Sequence, residues 1–342
     1  MSNLKFATTF TLGESVQPAS ITLNDRGFFM IVGKTTENGN TRAFATQIAG
    51  LNVVWEKVFT SPFSSSLSSI DKLKDGNFIM VGTQYYGVGA DEQYLWIVKM
   101  DNDGNVLWES AVNSDAMQTQ GYCVSATSDG GFVVIGGIIE SGNSKTIVIT
   151  YDSSNKKEWQ KNFEVGVADS VIQTSDGGFA LSGHTNADKK IQSYVFALKL
   201  DAEGNEVWET VCKDFKNYGP VNSSIIETES GQLAIAAKAI ILVVNSKGDI
   251  VYSNKFEDNL FNSIVEKDRK NFAVAGNLII SNYEHAYLGV LNKLTDTFTE
   301  DNTEIMYPSI AEQVIKDKYN NLIMCGFISK DVSEDEGFVA VF

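Results

Sequence analysis

The feature that most constrains this chain is a pattern repeated seven times. The segments ITLNDRGFFMIVG, IDKLKDGNFIMVG, VSATSDGGFVVIGG, VIQTSDGGFALSG, IIETESGQLAIAA, IVEKDRKNFAVAG and VIKDKYNNLIMCG each pass from an aliphatic stretch through a polar turn to an aromatic or Leu, with a small residue four positions later. The anchors are Phe29, Phe78, Phe132, Phe179, Leu233, Phe272 and Leu322, and the small residues are Gly33, Gly82, Gly136, Gly183, Ala237, Gly276 and Gly326. Successive anchors lie 49, 54, 47, 54, 39 and 50 residues apart. A period of about 20 to 50 residues marks units that cannot bury an apolar face alone and must stack on copies of themselves.

A second signature follows each anchor: a β-rich run, a Gly or Asn turn, then an aromatic. WIVKMDNDGNVLWESAV, TIVITYDSSNKKEWQKNF, VFALKLDAEGNEVWETVC and ILVVNSKGDIVYSNKF carry Trp108, Trp159, Trp208 and Tyr252 at equivalent places, and Trp55 precedes them. Each unit therefore reads as four short antiparallel strands, A to D, with tight Asp/Gly/Asn turns joining A to B and C to D. Four-stranded units at this period predict an all-β chain, a seven-bladed β-propeller of four-stranded antiparallel blades forming one domain over 1–342.

The termini fit closure. Leu322 is followed by 20 residues and Phe29 is residue 29, so the gap across the ends matches the internal period. The last repeat, at 310–342, has material for strands A to C only. Phe6 and Phe10 repeat the spacing of Trp55 and Phe59, of Trp159 and Phe163, and of Tyr252 and Phe256. The N-terminal strand, about residues 4–10, is therefore expected to complete the last blade and remove the open sheet edges. Blade six has the weakest outer strand, TDTFTEDN around Phe298.

These units resemble the bacterial propeller repeats written T-x-DGGF-x-x-x-G followed by K-x-D-x-x-G-x-x-x-W, and the resemblance covers essentially the whole chain. It implies the architecture above and, because the motif marks turns and core positions, no particular activity. Proteins with such repeats are mostly of uncharacterised function and many are secreted. The likeness to kelch is partial, since a double glycine ends strand B only at Gly136 and Gly137.

Composition narrows the functional classes. With 27 Lys and Arg against 43 Asp and Glu, the net charge of −16 disfavours nucleic acid or an anionic membrane as partner. No run of about 18 apolar residues is present, so membrane insertion is not expected. The start MSNLKFATTF lacks a basic segment followed by an apolar one. It reads as cytoplasmic unless the sequence has been trimmed, and localisation stays open because related repeats are exported. Cys123, Cys212 and Cys325 have no metal-type spacing and read as buried free thiols.

In a meander of this kind the B–C and D–A connections share one face, and here they vary freely, so a site is sought there. The loop at 83–94 is the richest, with Tyr85, Tyr86, Asp91, Glu92 and Tyr94. His184, Phe215, Tyr218, Phe261, Tyr283, His285 and Tyr307 occupy the equivalent connections. Aromatic rings with a polar handle suit protein hot spots or sugar faces, and equally suit packing loops onto the blade tops. The recurrent Phe and Trp positions belong to packing between blades, and the glycine after strand B to close backbone approach. DNDGN at Asp101–Asn105 lacks the remaining features of a calcium loop and reads as a hairpin turn. No cofactor or metal is expected.

The reading that follows is a non-enzymatic binding scaffold, monomeric because its ring has no free edges, recognising a protein or a surface glycan. Two alternatives stay open. One is a lectin with sugar sites between blades. The other is a propeller hydrolase or lyase, with a loop histidine or the carboxylates of Glu227 and Glu266 facing each other across a central funnel.

Overall fold

A computed structural model of the chain describes residues 4–60, 64–86, 92–112, 118–140, 143–186, 192–218, 222–256, 259–280, 283–293, 295, 297–301, 308–331 and 334–342. Strand β1 (Phe6–Phe10) precedes six consecutive four-stranded sheets. Blade one is β2 (Ser15–Leu23), β3 (Phe29–Glu37), β4 (Asn40–Ala49) and β5 (Asn52–Val58); blade two is β6 (Ser65–Lys72), β7 (Phe78–Tyr86), β8 (Glu92–Met100) and β9 (Val106–Val112). Blade three is β10 (Gln118–Ala126), β11 (Phe132–Glu140), β12 (Asn143–Tyr151) and β13 (Lys157–Phe163); blade four is β14 (Val167–Gln173), β15 (Phe179–His184), β16 (Gln192–Leu200) and β17 (Glu206–Tyr218). Blade five is β18 (Ser223–Glu227), β19 (Leu233–Ala237), β20 (Ile240–Val244) and β21 (Ile250–Lys255); blade six is β22 (Asn259–Asp268), β23 (Asn271–Ile280), β24 (Tyr283–Asn292) and β25 (Phe298–Asp301). The seventh sheet is β26 (Ser309–Lys316), β27 (Leu322–Asp331) and β28 (Glu334–Val341), with β1 as its outer strand. Phe6 pairs with Val341 and Phe10 with Gly337, antiparallel, so the chain closes its own ring as the repeat spacing predicts.

Burial grades outward across each blade. Inner strands such as β2 alternate half-buried and buried residues, middle strands such as β19 (LAIAA) and β20 (IILVV) are buried throughout, and outer strands such as β5 are mostly exposed. Middle strands pack on both faces against neighbouring blades, which is why they read as continuous apolar runs. Each of seven apolar clusters draws its residues from two adjacent blades. One joins Phe44 and Ile31 of blade one to Ile323 and Val339 of blade seven.

The tryptophan repeat is a clasp between blades. The indole N–H of Trp55 donates to the carbonyl of Asn102 (2.9 Å), that of Trp159 to Ala202 (3.2 Å), and that of Trp208 to Ser246 (3.2 Å). Each acceptor is the second residue of the C–D turn in the next blade. The turn glycines Gly104, Gly204 and Gly248 have φ of 84°, 75° and 88°, and a Cβ on any of them would meet the indole at 3.2, 2.7 and 2.9 Å. In the same turns Asp101 accepts the N–H groups of Asp103 and Asn105 (both 2.9 Å), so its carboxylate organises the hairpin.

The glycine four after the anchor has a different reason. In six blades strand A carries a one-residue bulge, at Ala19, Ser68, Tyr122, Asp169, Asn262 and Glu312, each opposite that glycine. A Cβ at Gly183 would lie 2.0 Å from the carbonyl oxygen of Val167, and one at Gly326 1.9 Å from that of Ile310. Blade five has Ala237 there, and its strand A pairs without a shift. The bulge and the glycine occur together or not at all, because the extra residue pushes a carbonyl into the space a side chain would fill.

Candidate functional site

The bulges shape the middle of the ring. All seven inner strands wall a central cavity of about 420 Å³, and every bulged residue lines it, with Ser224 in the unbulged blade five. Beneath the bulges runs a belt of polar contacts, each linking one blade to the next. The hydroxyls of Ser20, Ser69, Ser170 and Ser224 accept the N–H groups of Ile70 (3.2 Å), Val124 (3.3 Å), Ile225 (3.3 Å) and Ile264 (3.4 Å). Ser263 donates to the carbonyl of Val314 (3.3 Å), and the thiol of Cys123 points to that of Val171 (3.9 Å). Gln313 completes the circuit, accepting from Ile21 N–H (2.6 Å) and Ser20 hydroxyl (3.1 Å) with one carbonyl oxygen. Cys123 is half-buried on this wall, whereas Cys212 and Cys325 are buried in the core; none of the three is in a disulfide.

Three bulged residues bring titratable chemistry into the channel, and none was singled out in the sequence. Asp169 Oδ2 faces His184 Nδ1 (3.4 Å) and accepts from Ser223 (3.4 Å), whose hydroxyl also meets Ser182 (2.9 Å). Burial raises the Asp169 carboxyl, and His184 opposes that rise. Tyr122 donates to Gln120 (2.6 Å), and burial, with the fields of Asp169 and Tyr85, pushes its phenol up to about 12. Glu312 is raised by burial to about 7, with Lys34 working against the shift and Glu284 reinforcing it. Because the carboxylate of Asp169 sits between His184 and Ser223, the cluster does not pair a nucleophile with a base. The signal that could have revealed these residues is the glycine itself, since its presence marks an extra residue opposite it on the neighbouring strand A.

The residues picked out from the sequence are distributed as follows. The connection expected at 83–94 is largely strand: β7 continues to Tyr86 and β8 begins at Glu92, which leaves Asp91 outside the described residues. Tyr86 and Tyr94 pack with centroids 4.8 Å apart, and their hydroxyls donate to Gln84 and Glu92 (both 2.7 Å). Tyr85 is half-buried in the same hairpin. His184 ends β15 beside Asp169, and His285 stands two blades away in β24 opposite Leu278. Tyr218 ends β17, paired with Gln192, and Tyr283 begins β24, paired with Ile280; both are described in backbone only, as is Phe215 within β17. Tyr307 lies outside the described residues. Phe261 is no surface aromatic: β22 begins at Asn259, and Phe261 is fully buried against Phe256 and Phe298 between blades five and six.

Glu227 and Glu266 do not form an acid pair in the channel. Each reaches back to the A–B turn of the preceding blade. Glu227 accepts Ser175 N–H (2.7 Å) and hydroxyl (2.8 Å), and Glu266 accepts Glu229 N–H (2.7 Å) and a salt bridge from Lys293. Neither lines the cavity, and both work as staples between blades.

No family model matches the chain, and no curated protein does. Solved structures do. The Dos1 propeller is 12% identical with a TM-score of 0.60 over 94% of this chain and 77% of that one. Sqt1 from Chaetomium thermophilum, solved bound to the N-terminus of the ribosomal protein L10, is 12% identical with a TM-score of 0.57 over 100% of both chains. The extracellular domain of the putative hybrid two component system BT4673 from B. thetaiotaomicron is 13% identical with a TM-score of 0.56, over 99% of this chain and 43% of that one. Identities this low establish the shared propeller fold.

Proposed function

We propose that the chain is a non-catalytic binding scaffold and that the face bearing the B–C and D–A connections holds a protein partner. The carrying observation is the contrast between the two faces. On the A–B and C–D side, turn groups are committed to clasps and staples between blades. On the opposite side the hairpins stand at unequal heights, from the tight reversal at Lys238 in blade five to the long β7–β8 arms carrying Tyr86 and Tyr94. Uneven rigid hairpins with packed tyrosines give contact area at little cost in rotamer entropy. Exposed Glu14, Glu37, Glu92 and Glu334 lie among them and favour a partner segment carrying Lys or Arg.

Sugar sites between blades find little support, since apolar clusters fill those spaces. A propeller of similar fold does hold the N-terminus of a ribosomal protein, and the residues described above, rather than that likeness, carry the reading.

Photo-crosslinking tests it, with the probe placed at Tyr86, Glu92 or, on the opposite face, Asp249. Salt-sensitive protein cross-links from the first two sites and none from the third are expected. A selective hit on a glycan array, or cross-links from Asp249 alone, overturns it.

A further inference from the structure

We infer that the central channel is a ligand site in its own right and takes a small organic cation, whose ammonium group is received by the Glu312 carboxylate. At about 420 Å³ the cavity falls in the size range of small-molecule sites. Its wall is built for the purpose of presenting side chains, since the bulges extrude one residue per blade towards the middle in six of seven blades.

The second observation is an unmet acceptor. Among the described residues, donors reach Asp169 from Ser223 and His184, but none reaches Glu312. Glu312 has only the field of Lys34, opposed by that of Glu284. Glu312 is half-buried on the channel wall, so its carboxylate is open to the cavity, where a ligand N–H supplies the donor that is missing. Across the channel wall Ser66, Ser68, Gln17 and Asn222 offer further polar contacts, while the rings of Tyr122 and Phe327 can cover a ligand's carbon atoms. The chain's charge of −16 enriches cations near the mouth.

A bare divalent ion fits less well. Among the described residues no three Asp, Glu, His or Cys side chains stand close enough together to hold a metal ion, whereas such ions take about six or more oxygen ligands.

The site is independent of the surface proposed above. The test is calorimetric titration of the full chain at about pH 8, where Glu312 is ionised, with ethanolamine, putrescine and choline, and separately with Ca²⁺, Mg²⁺ and myo-inositol. At least one amine is expected to bind. Glu312→Gln is expected to weaken it by about tenfold or more, Ser68→Phe to weaken it by filling the channel, and Tyr86→Ala to leave it unchanged. Absence of amine binding to folded protein, equal affinity in Glu312→Gln, or saturation by Ca²⁺, Mg²⁺ or inositol alone overturns the inference. Should Ser68→Phe fail to fold, Glu312→Gln decides alone, because it removes the charge and keeps the volume.

Discussion

The indole of Trp159 fills the space beside Gly204 in the next blade: its N–H donates to Ala202 at 3.2 Å, and a Cβ on Gly204 would stand 2.7 Å from the ring. Two residues of the repeat signature are therefore one contact seen from two blades. Gly204→Ala meets both the left-handed φ of 75° and the ring, and a loss of about 2 kcal/mol is expected. In a Trp159→Ala background only the backbone cost remains. Urea unfolding of the two single variants and the double variant should give a coupling of about 1 kcal/mol; additive costs would show that the ring and the glycine act separately.

Gly183→Ala tests the link between glycine and bulge. Its Cβ would overlap the Val167 carbonyl, so strand β14 must shift or lose its extra residue, at a cost of about 3 kcal/mol. The displacement carries Asp169 with it, and the NMR chemical shifts of the facing His184 imidazole should move. Ala237→Gly, at the same place in the unbulged blade, is expected to cost only about 1 kcal/mol. Equal losses at the two positions would break the correlation.

The pH dependence of stability isolates Glu312. Its carboxyl is raised from an ordinary 4.5 to about 7 in the folded chain, so the folded state holds its proton more tightly than the unfolded state. The stability this contributes is complete below about pH 4.5 and is lost as pH rises through 7. Glu312→Gln should match the native chain under acid conditions and exceed it by up to about 3 kcal/mol above pH 7. A difference that does not change across that window would place the carboxyl in water.

Gln313→Ala opens the polar belt at one link. It removes the acceptor of both Ile21 N–H and Ser20 and leaves a buried donor unmet, for an expected loss of about 2 kcal/mol. Hydrogen exchange should quicken first at the junction of blades seven and one.

The ring was legible because its determinants are local. Phe78, Phe132 and Phe179 recur with their turns and glycines, and each copy buries the same side chains. The site was less legible for two physical reasons. The arms around Tyr86 and Glu92 project beyond the core, lose the apolar alternation that betrays a strand, and so read as loop. The channel residues Tyr122, Asp169 and Glu312 sit at bulges, where the two-residue periodicity slips, and nothing in their own identity announces that they face inward. The double glycine at 136 and 137 shows the same point. Gly136 faces the bulge, whereas Gly137 leaves room for the Tyr122 ring, whose hydroxyl would lie 2.8 Å from a Cβ there. Glu227 and Glu266, equivalent by count, are taken up by backbone N–H groups that only the neighbouring blade supplies.

The pairing of Phe6 with Val341 also sets an order of events. Strand β1 is made before the six blades that follow it in the chain, yet among the described residues its sheet partner is β28, which is made after them. While those six blades are completed, the outer strand of blade seven waits without a partner. Contacts of such sequence separation close late and slowly, so the vulnerable interval of this protein's life is the one before β28 arrives, when an unpaired strand and an open sheet edge coexist on the nascent chain.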